Sequence, residues 1–339
     1  MDTTGIYDEA LTRLHATGPE RLGRLTNHAP MAVEALAAHG RARSVHRWLD
    51  LYTVKLENFP SGHTRVTDAN WPEALGDPRR AADWIAYFGE KLAERPWREV
   101  LAEWWPRLLL GMYGGSTHPV IRVGHAVRSL LTAGDNPAGP RLTELAHGLG
   151  YWAARHHLAP EVASSAGAVT AAGALDAVPP IGVREGGFPD RLAQVARLPE
   201  WAAAAATPEE ARGKLTELVR AAVHRYATHG HGEETMLVHA STAPNAVLRT
   251  LPALPQEMWA ASLHAAWTAS AAVTAMYAPD EPVAHRARAA GLTAEEVFER
   301  ADAHADEHVV KFADTALDVG DEQALSAVLY AVELSVPMT

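Results

Sequence analysis

The chain has no cysteine, which excludes disulfide frameworks, zinc ribbons, cysteine-held iron–sulfur clusters and thiol catalysis. Any transition metal must therefore be held by histidine, carboxylate or a less usual oxygen ligand. Lysine is scarce as well. Of 30 Lys and Arg residues only Lys55, Lys91, Lys214 and Lys311 are lysines, in a chain that otherwise uses arginine for positive charge. Clustered basic residues are also lacking, and the formal net charge is -11, so no nucleic-acid partner is expected. The start, Met1-Asp2-Thr3-Thr4, leads into an acidic amphipathic stretch with no apolar signal core, which gives a cytoplasmic expectation. One apolar run, Trp259 to Ala278, has about the length of a membrane span. It carries His264, several Ser and Thr residues and much alanine, so it reads as a buried core helix, and no membrane partner is expected.

What is present is globular and helical. Apolar residues make up 47% and charged residues 21%, enough to build a core rather than a disordered chain. Alanine is abundant and runs of period two are few, so a sheet has little to be built from. Helical spacing predicts elements from Ile6 to Ala16, from an N-cap at Asn27 to Gly40, and from Ala42 to Leu56. Others carry Trp84, Phe88 and Leu92, then Val100, Leu101, Trp104 and Leu108. After a Gly-rich break from Gly111 to Thr117, a helix starts near His118, and another carries Leu142, Leu145 and Leu149. The later helices are read at Leu215–Tyr226, Met236–Leu251, Gln256–Tyr277, Thr293–Leu317 and Asp321–Leu334. The expected fold is all-α: one multi-helix domain over residues 1–339, with a small-residue internal loop at 159–187.

Eighteen histidines are the main chemical resource. In His304-Ala305-Asp306-Glu307-His308-Val309-Val310-Lys311 a continuous helix would put His304 and His308, and also His308 and Lys311, on one face. Spacing leaves two readings: imidazole metal ligands, or a solvated His304 and Glu307 with an exposed Lys311 paired to Glu307 or Asp314. His28 starts a helix in Thr26-Asn27-His28-Ala29-Pro30. His118 and His125 are seven apart, about 10 Å along a helix, too far to grip one ion together. His239 sits in a polar interruption, Val238-His239-Ala240-Ser241-Thr242-Ala243-Pro244. The His224, His229, His231 run reads as a solvated turn, and His156 and His157 face different ways. Glu144-Leu145-Ala146-His147 has the Glu-x-x-His spacing of di-iron bundles, which need such motifs in pairs. Phosphate loops, His-Glu-x-x-His pairs, nucleophile elbows and dinucleotide fingerprints are missing.

Four of these pieces in order resemble the questin oxidase-like family, and in particular its bacterial branch. They are Leu25-Thr26-Asn27-His28-Ala29-Pro30-Met31, Thr117-His118-Pro119-Val120-Ile121, His239-Ala240-Ser241-Thr242-Ala243-Pro244 and Asp306-Glu307-His308-Val309-Val310-Lys311. The resemblance spans roughly residues 20 to 320. It implies an oxidoreductase with a mononuclear non-heme iron, acting with O₂ to cleave a ring C–C bond of an anthraquinone or related aromatic polyketide. The metal ligands it implies are His28, His118, His239 and His308, with Lys311 as a carbamate formed from CO₂. Many fungal relatives carry a second histidine four residues after the one matched by His118. Here that position is Arg122, and His125 is the alternative ligand. Imidazoles and an oxygen anion suit iron(II). A lysine ammonium cannot ligate a cation, but burial beside one favours the neutral amine, which can take up CO₂. Two other classes use similar parts: a metal-dependent hydrolase with a carboxylated lysine, and a non-catalytic ligand-binding relative.

Overall fold

Apolar residues spaced by three and four turn most of the chain into helices. The computed structural model describes residues 3–22, 25–134, 137–201 and 205–338. The chain divides into two compact units, Met1–Leu158 with Arg249–Pro255, and Ala159–Leu248 with Gln256–Thr339. The first contains α1 (Thr3–Leu14), β1 (Glu20–Arg21), β2 (Leu25–Thr26), α2 (Ala29–Ala38), α3 (Ala42–Thr53), α4 (Trp71–Ala74), α5 (Ala81–Glu94), α6 (Trp97–Leu109), α7 (His118–Ala133) and α8 (Gly139–Ala154). The second contains β3 (Ala163–Ser165), α9 (Ala171–Asp176), α10 (Phe188–Leu192), β4 (Arg197–Pro199), α11 (Pro208–His229), α12 (Glu234–Leu237), most of α13 (His239–Thr250), α14 (Trp259–Tyr277), α15 (Ala294–His304), α16 (Glu307–Val319) and α17 (Glu322–Leu334). Among the described residues strands form only two pairings. β1 and β2 run antiparallel with Glu20 opposite Thr26, and β3 and β4 run parallel with Ser164 opposite Leu198. The fold is all-α, as the composition requires.

In the first unit α3 shows how the pattern works. Ala42, Val45, Trp48, Leu49 and Tyr52 recur at helical spacing and all five are buried, so one stripe faces the core. α8 packs against α5, α7 and α1. Its contact with α5 is close because position 150 has no side chain. A Cβ there would lie 2.6 Å from Ile85 Cγ1 and 2.7 Å from the Ile85 nitrogen. Gly150→Ala is therefore expected to cost about 1–3 kcal/mol by overpacking. The measurement is the urea midpoint at unchanged slope; an unmoved midpoint would show that α5 and α8 separate without cost.

In the second unit α11 packs against α9, α14, α16 and α17. Its start is set by Thr207, whose Oγ1 accepts the Glu210 N–H at 3.1 Å, with Pro208 in the first turn. α14 is buried along most of its length. Its hydroxyls are satisfied inside the protein, with Ser262 donating to the Met258 carbonyl at 2.8 Å and Thr274 to the Ser270 carbonyl at 2.9 Å. It is a core helix, and no helix among the described residues is long and apolar enough to cross a membrane.

Two helices read as continuous are broken. Met236–Leu251 becomes α12 and α13, and Thr293–Leu317 becomes α15 and α16. The second break matters for the site. Ala305 adopts a left-handed conformation at φ 63°, and the Asp306 carboxylate then accepts the N–H groups of His308 and Val309 at 2.9 and 3.0 Å. That N-cap starts a new helix. The segment 159–187 contains β3 and α9 rather than loop alone.

Candidate metal centre

In the first unit the chain enters α2 through Asn27. Its Oδ1 accepts the Ala29 N–H at 3.0 Å, while its Nδ2 donates to the Gly18 carbonyl at 3.0 Å. The backbone N–H of the next residue, His28, donates to the Tyr52 hydroxyl at 3.1 Å, and Pro30 follows in the first turn. His28 is thus fixed at a helix start, and its side chain is buried.

His118 is presented by a strained turn. Ser116 and Thr117 both sit in the left-handed region, at φ 55° and 67°, a conformation costing roughly 1–2 kcal/mol for each L-residue. Two residues earlier Gly114 is required, because a Cβ would fall 1.4 Å from the Arg155 carbonyl oxygen. The turn ends at His118 as the first residue of α7, with Pro119 next. His118 Nδ1 lies 2.7 Å from the Gly115 carbonyl oxygen. A carbonyl only accepts, so Nδ1 carries the proton. In the neutral ring Nε2 then holds the lone pair, the tautomer that a metal needs. The rings of His28 and His118 stack with centroids 4.3 Å apart and planes 24° apart.

His125 lies two turns further along α7. Its Nδ1 is 2.7 Å from Glu34 Oε2, and Arg128 Nε donates to Glu34 Oε1 at 2.9 Å. Burial pushes the Glu34 carboxyl up, but Arg128 and His125 outweigh it and hold it at about 2. Arg122 is engaged by Glu144, with Nε to Oε1 at 2.5 Å and Nη2 to Oε2 at 2.9 Å. His15 Nε2 is 3.2 Å from Glu144 Oε2, and the His15 and His147 rings lie 4.6 Å apart. Glu144 and His147 thus serve an arginine and a histidine stack. None of these partners was legible in the spacing.

In the second unit His239 is the first residue of α13 and is fully buried. Pro244 has no N–H for the Ala240 carbonyl four residues back, and Ser270 Oγ donates to that carbonyl at 2.6 Å. This bond ties α14 to the start of α13. Asn245 Nδ2 donates to Asp318 Oδ2 at 2.9 Å and ties α13 to α16. The same packing leaves the His239 and His308 ring centroids 6.0 Å apart. Lys311, one turn after His308 on α16, is 1% exposed, so the reading of it as a surface ammonium is wrong. His304 and Glu307 are buried too. Ala305 ends the helix between His304 and His308, so those two do not share a face, and His304 Nε2 instead lies 3.1 Å from the Ser335 carbonyl. Asp306, Glu307 and His308 form a cluster with ligand atoms within 4.8 Å of one another. Away from these, His224 Nε2 lies 2.8 and 2.9 Å from the two Asp321 oxygens, and His156 Nε2 lies 3.2 Å from the Arg107 carbonyl.

Both units therefore share one feature: a buried imidazole at a helix start, beside a second imidazole, in an all-α frame without thiols. The questin oxidase-like family profile matches residues 25–129. Over those residues the chain is similar to questin oxidase-like proteins, the family that its motifs resemble. The match contains His28, His118 and His125; His239, His308 and Lys311 lie beyond it. A search of curated proteins finds no match.

Proposed function

We propose that the protein is a mononuclear non-heme iron oxygenase that opens a ring of an anthraquinone or related aromatic polyketide. His28, His118, His239 and His308 would hold the iron, with Lys311 as a carbamate. The observation that carries the reading is the His28–His118 pair, inside the residues that match the family. One of its rings has its proton committed to a backbone carbonyl, which leaves Nε2 as the donor to a cation. The adjacent His239 and His308, and the burial of Lys311, support the rest of the set. A carbamate forms when the neutral amine adds to CO₂ and a proton leaves, which turns a cationic side chain into an anionic oxygen donor. Iron supplies the activation of O₂ in such a centre. The chain's own residues orient it. Gly115 sets the tautomer of His118, Tyr52 holds the backbone at His28, and buried apolar neighbours exclude water.

The test is iron content by plasma mass spectrometry after loading with iron(II) and desalting. The parent is expected to keep one ion per chain and His118→Ala close to none, while His125→Ala keeps most of it. Full iron in His118→Ala together with loss in His125→Ala would move the ligand to His125. A second reading, a metal-dependent hydrolase, is favoured by the carboxylates of Asp306 and Glu307 beside His308. It requires two ions per chain and turnover without O₂.

A further inference from the structure

Arg122 is 2% exposed and its partner Glu144 1%. Glu144 binds the guanidinium along the Nε–Nη2 edge, which neutralises its charge. Nη1 is left on the other edge, buried and without a hydrogen-bond partner among the described residues. Leaving a buried donor of a charged group unsatisfied is costly, and the pairing with Glu144 does not require that edge. Helix geometry says where it lies. Arg122 follows His118 by one turn on the same face of α7, about 6 Å along the axis.

The surroundings select what that edge can bind. His147 is held neutral, its pKa lowered to about 3 by burial first and then by Arg122, so this imidazole adds no second cation to compete for an acceptor. The Tyr151 hydroxyl is 2.8 Å from Thr26 Oγ1 and is occupied there. Phe59 and His147 offer ring surface, with centroids 5.5 Å apart. A guanidinium already neutralised on one edge, with a buried donor to spare on the other, fits an oxygen acceptor, and the nearby helix α8 carries ring surface at His147.

We infer that Arg122 is a substrate-binding residue. Its Nη1 donates to a carbonyl or phenolate oxygen of an aromatic ketone or quinone seated next to His118. The inference rests on the proposed function for the substrate class, yet it needs no metal to operate. The probe is 1,8-dihydroxyanthraquinone, whose visible band moves to the red as the phenol ionises, with anthracene as the oxygen-free control. Both are titrated into iron-loaded and metal-free protein. Removing one charge-assisted hydrogen bond is expected to raise Kd for the quinone at least about tenfold. Arg122→Met should show this and lose the red shift, while anthracene binding and iron content stay as in the parent. Arg122→Met leaves Glu144 buried and unpaired and can fail to fold. The double variant Arg122→Met/Glu144→Leu replaces the pair with apolar residues, a change that folded proteins tolerate, and it should give the same loss.

The inference is overturned if the folded double variant binds the quinone as tightly as the parent, or if the quinone and anthracene weaken together. It is also overturned if the parent binds no quinone. Quinone binding that depends on Arg122 in a protein holding no iron supports the inference and removes the iron reading. A parent that keeps iron and binds the quinone independently of Arg122 does the reverse.

Discussion

Lys311→Arg is expected to yield a folded protein that holds almost no iron. Arginine keeps its positive charge at any working pH, cannot take up CO₂, and would place a cation where the proposed anionic oxygen stands. Losing a residue that merely supports a ligand costs roughly 10–100-fold in metal affinity; replacing a ligand by a cation should cost more. The position is 1% exposed, so each variant needs its own melting curve. Lys311→Met removes the charge in an unbranched side chain and serves as the folding control. It too should lose iron. Labelled bicarbonate supplies an independent reading, because ¹³C NMR of the parent should show a carbamate signal that both variants lack. Full iron occupancy in Lys311→Arg would end the carbamate proposal.

Acid should destabilise the protein in two overlapping windows, both set by the α7–α8 cluster. His147 has a pKa of about 3 against its usual 6.5, because burial first and Arg122 second oppose its protonation. The native state refuses a proton that the unfolded chain accepts. Stability is therefore full above pH 6.5 and falls as pH drops toward 3. A tenfold difference in proton affinity between the native and unfolded chain is worth about 1.4 kcal/mol, so the whole window amounts to the order of 5 kcal/mol. Glu144 adds a second loss. Burial raises its pKa, but Arg122 and His15 outweigh that and hold it at about 2 against 4.5. Its contribution is complete above pH 4.5 and disappears as pH falls toward 2. His147→Phe keeps a ring beside His15 and Phe59 and removes the first window only. Urea midpoints from pH 7 to 4 should then fall less steeply than in the parent. An identical slope would show that His147 is not the group responsible.

The helical class, and the helix starts that carry His28 and His118, were legible because they rest on local signals. Alanine with apolar spacing gave the fold class, and the Gly-rich break before His118 marked a helix start that the structure bears out. The scarcity of lysine drew attention to Lys311, which proved to be buried. Other features have no local signature. Ala305 breaks a helix although alanine is the best helix former; Asp306 directly after it caps the next helix. The strain at Ser116 and Thr117 is carried by residues that rarely adopt positive φ. Arg122 finds Glu144 across 22 positions, and Glu34 finds His125 across 91. Tertiary packing chooses such partners, so a spacing rule could assign Glu144 and His147 only to a motif that they do not form.

The engaged pair of Arg122 and Glu144 also limits which sequences this chain can reach by single steps. Changing either residue alone strands a buried charge, a loss of about 3–5 kcal/mol and a large part of the stability of an ordinary domain. Changing both to apolar residues avoids that loss. A histidine at position 122 therefore lies across a valley from this sequence. The crossing has to take both positions together, because a first step at either one carries that loss. Lineages with arginine and with histidine at this turn of the helix would then be expected to differ at the facing position as well, each kept in place by a residue on another helix.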